Sequence, residues 1–185
     1  MKRTATTALI TVICGFYLLQ LLTPSLQENL FLINKAVFRD GSVHGVATGE
    51  WYRILTVALV HGGLMHLGFN MYALLVLGNP IESAFGRNRF LAIFFISLIT
   101  GSLASLYLNP TNQPSVGASG ALFGLFGAFA VVGRKIGADV RSIVVIIGIN
   151  FAMGFVLPGI DWHAHLGGLI GGVIAAKTLL RSRRR

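Results

Sequence analysis

Six apolar runs divide this chain, at about residues 8–22, 64–78, 90–108, 119–132, 142–157 and 163–180. A membrane-spanning helix needs about 17–25 predominantly apolar residues, and most of the runs approach that length. The chain is 54% hydrophobic and 11% charged. An ordinary soluble domain carries roughly 25% charged residues, so too little polar surface is available here to cover a water-soluble fold. The expected fold is all-α, a polytopic bundle of six transmembrane helices forming one domain over residues 1–185.

The connections between runs carry the remaining information. Met1-Lys2-Arg3 and the first run resemble a signal peptide, but no small-x-small cleavage site precedes Leu22-Thr23-Pro24-Ser25, so the run reads as a retained helix. Thr23 to about Val60 is a long connection mixing Glu28, Lys35, Arg39, Asp40 and Glu50 with apolar clusters such as Leu30-Phe31-Leu32-Ile33. Long connections of this kind are usually functional or partly structured, and the apolar clusters suggest a lobe partly embedded in the membrane surface. Trp51 and Arg53 read as interfacial anchors. His61-Gly62-Gly63 interrupts the apolar residues from Ile54 to Gly78, so the second helix is expected to begin near Leu64. A polar turn is expected over Asn79 to Asn88.

Charge placement predicts orientation. Lys2, Arg3, Arg87, Arg89, Arg134, Lys135, Arg141, Lys177, Arg181, Arg183, Arg184 and Arg185 fall on one side of the six runs, and only Lys35, Arg39 and Arg53 on the other. Cytoplasmic loops are enriched in Lys and Arg, which places both termini in the cytoplasm of a multi-pass protein, most economically in a plasma or inner membrane. The arginine tail fits anionic lipid headgroups, and no nucleic-acid motif is present. Cys14, the sole cysteine, excludes an internal disulfide.

Two polar groups open apolar helices on the extracytoplasmic side. Ser119 lies in Gly117-Ala118-Ser119-Gly120, and His165 in Ala164-His165-Leu166-Gly167-Gly168. A serine becomes a nucleophile when a base lies within hydrogen-bond reach, which makes His165 the candidate base. The run from Ser119 to Val132 is short: at about 1.5 Å per residue it covers roughly 20 Å, against a core of roughly 30 Å. Such a helix can leave Ser119 below the membrane surface. Gly168 and Gly172 lie on the face of His165, and Gly120, Gly124 and Gly127 give the facing helix small residues. Small residues at this spacing let membrane helices approach closely. His66 and Asn70, at i and i+4, share a helix face and can donate hydrogen bonds. With the Ser119 backbone N–H they are candidates for an oxyanion hole.

Blander readings use the same residues. Serine in a glycine-rich membrane helix is commonly packing glue. His61, His66, His163 and His165 together could ligate a metal in a small metal-binding protein or transporter. No carboxylate or cysteine joins those histidines, so no metal and no cofactor is expected. Asp161, four residues before His165, is read as interfacial and given no catalytic role.

In combination the motifs resemble the rhomboid family of intramembrane serine proteases. Trp51 and Arg53, His61-Gly62-Gly63-Leu64-Met65-His66-Leu67-Gly68-Phe69-Asn70, Gly117-Ala118-Ser119-Gly120 and Ala164-His165-Leu166-Gly167-Gly168 resemble its loop motif, its His-x-x-x-Asn helix, its Gly-x-Ser-Gly nucleophile and its last helix. The likeness is to the minimal six-helix prokaryotic form. It implies a Ser119–His165 dyad that cleaves transmembrane protein substrates within the lipid bilayer, near the extracytoplasmic side. It implies oxyanion contacts from His66, Asn70 and the Ser119 N–H, with Gly117, Gly120, Gly168 and Phe123 packing the site. Phe123 stands where the family often has tyrosine, which keeps ring packing on the histidine and removes a hydroxyl. Either Trp51 or Tyr52 fills the loop's aromatic place. An inactive relative that binds membrane helices without cutting them is the alternative within the family.

Overall fold

The computed structural model describes residues 4–133, 140–156 and 159–181. Lys2, Arg3, Arg134, Lys135, the end of the fifth run at Leu157 and the tail Arg183-Arg184-Arg185 lie outside the described residues. The long helices are α1 (Ala5–Leu22), α4 (Leu64–Phe85), α5 (Arg87–Leu108), α6 (Ser119–Val132), α7 (Val140–Val156) and α8 (Trp162–Arg181). Short α2 (Ser25–Leu30) and α3 (Arg53–Thr56) lie in the first connection. So does a hairpin of β1 (Ala36–Val37) and β2 (Val43–His44), in which Ala36 pairs with His44 and Val37 with Val43. The protein is an all-α membrane bundle. Among the described residues, α1, α4 and α5 are long and apolar enough to cross a bilayer, and α6 is apolar but has only 14 residues.

The turn expected over Asn79 to Asn88 is mostly helix. α4 continues through Pro80 to Phe85, and Gly86, at φ 82°, makes the whole reversal into α5. The cause is a tertiary contact. The Glu82 carboxylate accepts hydrogen bonds from the Ala5 N–H (2.7 Å), the Thr6 N–H (2.9 Å) and the Thr6 hydroxyl (2.8 Å). An acidic side chain placed on the unpaired amides of a helix N-terminus is stabilising. Glu82 is therefore a cap for α1 rather than a solvated turn residue.

α6 is the central helix, and every residue from Gly120 to Phe129 is buried. It lies among α4, α5 and α8. Lipid tails are as apolar as leucine, so close packing rather than the hydrophobic effect must hold such helices together. α8 presents glycines on two faces for this purpose. A Cβ at Gly168 would fall on the Gly120 carbonyl oxygen, and one at Gly172 on that of Gly124. On the adjoining face, a Cβ at Gly167 or Gly171 would strike Thr100 of α5. α5 reciprocates at Gly101, where a Cβ would stand 2.8 Å from the Ala164 carbonyl oxygen.

The first connection is an ordered lobe, and Arg53 is its buried centre rather than an interfacial anchor. Arg53 is 1% exposed. Its Nε donates to Glu50 Oε2 (2.7 Å), and one terminal nitrogen donates to the carbonyls of Glu28 (2.8 Å) and Phe31 (2.9 Å). A buried guanidinium needs such partners to offset its desolvation. Tyr52, not exposed Trp51, lies against this cation, with Phe31 on it as well, each ring centroid 5.5 Å from the guanidinium carbon. Burial opposes ionisation of Glu50, but hydrogen bonds from His44, Arg53 and the Gly45 N–H outweigh it and hold its pKa at about 2. The lobe is tied to the bundle. Leu32 pairs with Ser115 through N–H···O bonds of 3.0 and 2.8 Å, and the Ser102 hydroxyl donates to the Ile54 carbonyl (2.9 Å). From α1, the Gln20 amide clasps the backbone of His61 through bonds of 2.7 and 3.0 Å.

Candidate active site

Ser119 is the first residue of α6, and the turn that delivers it needs glycine. Gly117 has φ 107°, a conformation side chains disfavour. A Cβ there would also lie 2.7 Å from Cε1 and 2.8 Å from Nε2 of His66. The Gly117 N–H is held by the Val57 carbonyl at 2.9 Å, which joins the turn to the lobe. As the opening residue of a helix, Ser119 has a backbone N–H with no intrahelical acceptor.

His165 lies in the first turn of α8, and its Nε2 is 2.9 Å from Ser119 Oγ. Phe123, one turn after the serine, stacks flat on the imidazole, with centroids 4.0 Å apart and planes 8° from parallel. Phe151 of α7 meets the edge of Phe123 at 5.3 Å, so α7 touches the ring that backs the histidine. His165 Nδ1 is buried and has no hydrogen-bond partner among the described residues. A neutral imidazole that accepts the serine proton at Nε2 carries its own hydrogen on Nδ1.

Of the residues expected from α4, His66 comes to the same place. The Gly62 N–H approaches His66 Nδ1 at 3.4 Å, which makes Nδ1 the acceptor and leaves Nε2–H as a donor beside Gly117. Asn70 is 5% exposed; its Nδ2 donates to the His66 carbonyl at 2.8 Å, and Oδ1 has no partner among the described residues. Ser119, His165 and Phe123 thus lie together where α6 meets α8, and His66 of α4 reaches Gly117 at the same turn; the printed contact of Asn70 stays within α4. Gly120 and Gly168 form the backbone contact one turn below. Of the four histidines of the metal reading, two meet each other and two meet other residues. His61 meets His66 edge to face at 5.1 Å, His165 meets Ser119, and His163 Nδ1 meets Asn109 Oδ1.

Some participants escaped sequence reasoning. Gln20, Ser105 and Asn109 carry no motif and act only through tertiary contacts. Phe151 lies in an apolar run with nothing to mark it. Asp161, one position before α8, holds Ser105, Asn109 and the Ala164 N–H, contacts that its place in the sequence did not announce.

Comparison with known proteins shows the family. The family model described as the Rhomboid domain matches residues 48–182. The chain belongs to the rhomboid family. It is 45% identical over 142 residues to the Rhomboid protease GluP of Bacillus subtilis (strain 168), covering 72% of this chain and 27% of that protein. It is 36% identical over 146 residues to the Putative rhomboid protease YdcA of the same organism, covering 76% of this chain and 73% of that one. It is also 39% identical over 139 residues to the Inactive RHOMBOID-like protein 8 of Arabidopsis thaliana, covering 71% and 39%. The chain therefore spans about a quarter of GluP and nearly three quarters of YdcA.

Proposed function

We propose that this protein is an intramembrane serine endopeptidase that cleaves transmembrane substrates near the extracytoplasmic face of a cell membrane. The observation that carries the reading is the 2.9 Å contact between Ser119 Oγ and His165 Nε2, at the mouths of two apolar helices packed glycine to glycine. His165 takes the hydroxyl proton as Ser119 Oγ attacks the scissile carbonyl carbon. The oxyanion that forms is met by the Ser119 N–H, His66 Nε2–H and the Asn70 amide. His165 then gives the proton to the leaving amine, and water releases the acyl group by the same steps in reverse order. Phe123 holds the imidazole plane by stacking.

The orientation follows from the excess of basic residues on one side, which puts both termini in the cytoplasm and Ser119 near the opposite face. The lobe rests in the outer leaflet on the exposed side chains of Trp51, Tyr52 and Leu55. The test is cleavage of a single-span reporter by purified wild type, Ser119→Ala and His165→Ala, with chelator present throughout. Cleavage by wild type alone is the expected result. Equal cleavage by all three refutes the dyad. A serine-directed phosphonate that labels neither wild type nor Ser119→Ala favours a binding-only relative.

A further inference from the structure

The Asp161 carboxylate is close to the site, largely enclosed and unused by the mechanism above. Its hydrogen bonds all lead away from the imidazole. Oδ1 accepts from Asn109 Nδ2 (2.9 Å) and from the Ala164 N–H (3.0 Å), and Oδ2 accepts from the Ser105 hydroxyl. Asn109 Nδ2 also donates to Ser105 Oγ at 3.1 Å, and Asn109 Oδ1 meets His163 Nδ1. The backbone joins in, since the His165 N–H donates to the Asp161 carbonyl at 3.2 Å. Burial raises the cost of ionising Asp161, yet the bonds from Ser105, Ala164 and Asn109 hold its pKa below the usual carboxylate value.

Two segments meet at this one side chain: the last turn of α5 with its cap Asn109, and the first turn of α8. Below it, the Ala164 carbonyl rests over Gly101 of α5. The two contacts fix α8 against α5 along its axis, and His165 lies within that fixed turn. Phe123 sets the plane of the ring but not the height of the helix that carries it.

We propose that Asp161 is a positioning residue for His165, a hydrogen-bonded latch between α8 and α5 that sets the base at the height of Ser119. The inference rests on the Ser119–His165 reading. It differs from the role of an aspartate in a catalytic triad, which contacts the histidine and acts through its charge. Asp161 acts through acceptor geometry. Asparagine can reproduce most of that geometry, because Oδ1 already takes both the Asn109 and Ala164 donors and a new Nδ2 can donate to Ser105 Oγ.

The experiment measures kcat and KM for reporter cleavage, with melting temperature, for the full chain in proteoliposomes. Asp161→Ala is expected to lose about tenfold to a hundredfold in kcat with KM within about twofold, the effect of a misplaced catalytic group. Asp161→Asn is expected to stay within about threefold of wild type, whereas a triad aspartate loses roughly 10⁴-fold on the same change. Asn109→Ala, which removes one arm of the latch, serves if Asp161→Ala does not fold, and should lower kcat in the same direction. Wild-type kcat in Asp161→Ala or, failing that, in Asn109→Ala overturns the proposal. So does a loss in Asp161→Asn as large as in Asp161→Ala. Wild type that neither cuts nor takes a serine-directed probe overturns the dyad, and the latch with it. A reactive wild type beside an unaffected alanine variant overturns the latch alone.

Discussion

His66 differs from most polar residues on a membrane helix, because its free ring nitrogen faces a turn of backbone rather than a neighbouring helix. His66 Nε2 lies against Gly117, and the Asn70 amide has one hydrogen committed to the His66 carbonyl and a second to spare. If both serve the oxyanion, each should matter only once negative charge develops. His66→Ala and Asn70→Ala should each lower kcat by about 10²–10³-fold, or about 2.7–4 kcal/mol, with little change in KM. Steady-state kinetics on the reporter reads this directly; raised KM at constant kcat would mean ground-state contacts. The meeting of Ser119 with His165 was legible in the sequence, because polar groups on apolar helices stand out, and helical spacing put His66 and Asn70 on one face. Arg53 was legible as a residue and misread as a role. An arginine beside Trp51 and Tyr52 looks interfacial until the carbonyls of Glu28 and Phe31 are seen to close on it.

At the scale of elements, the glycine faces of α8 decide its spacing from α6 and α5. Gly168→Val should force α6 and α8 apart, since its side chain would overlap the Gly120 carbonyl. Cleavage should fall by more than the melting temperature implies, because a displacement of about 1 Å costs roughly 10²-fold in a positioned reaction. Parallel loss of fold and activity would count against this. The glycine pattern was readable in advance because Gly-x-x-x-Gly spacing has a mechanical meaning. The end of α4 was not. Asn79, Pro80 and Glu82 look like a turn in one dimension, and only the amides of Ala5 and Thr6 explain why the helix continues. The hairpin of β1 and β2 was equally hidden, since two-residue strands leave no periodic signal.

At the scale of the whole molecule, the lobe and the bundle differ in their sensitivity to acid. Glu50 has its pKa depressed to about 2 from an ordinary 4.5. The stability it contributes is therefore complete above pH 4.5 and is lost as pH falls toward 2. Thermal melts of wild type should decline across that interval. Glu50→Gln should be less stable at neutral pH and show a shallower decline; parallel curves would remove Glu50 as the cause. The all-α class and the long first connection were apparent from composition and run length. The route by which the lobe joins the bundle, through Leu32, Ser115, Gln20 and Ser102, was not, because backbone pairing over long separations leaves no local trace.

The contact of Gly168 with Gly120 has a consequence for how the bilayer can act on this protein. Two peptide chains touch there with no side chain between them, so no rotamer change can widen or narrow the gap one turn above. Thicker or thinner lipid can tilt helices and alter how a substrate reaches the site. It has no comparable hold on the distance between serine and imidazole. A small water-soluble phosphonate should therefore label Ser119 at nearly one rate in bilayers of different acyl-chain length, while cleavage of a spanning reporter varies. On the proposed function, the reactivity of the serine would belong to the backbone, and its sensitivity to lipid to the path by which a substrate arrives.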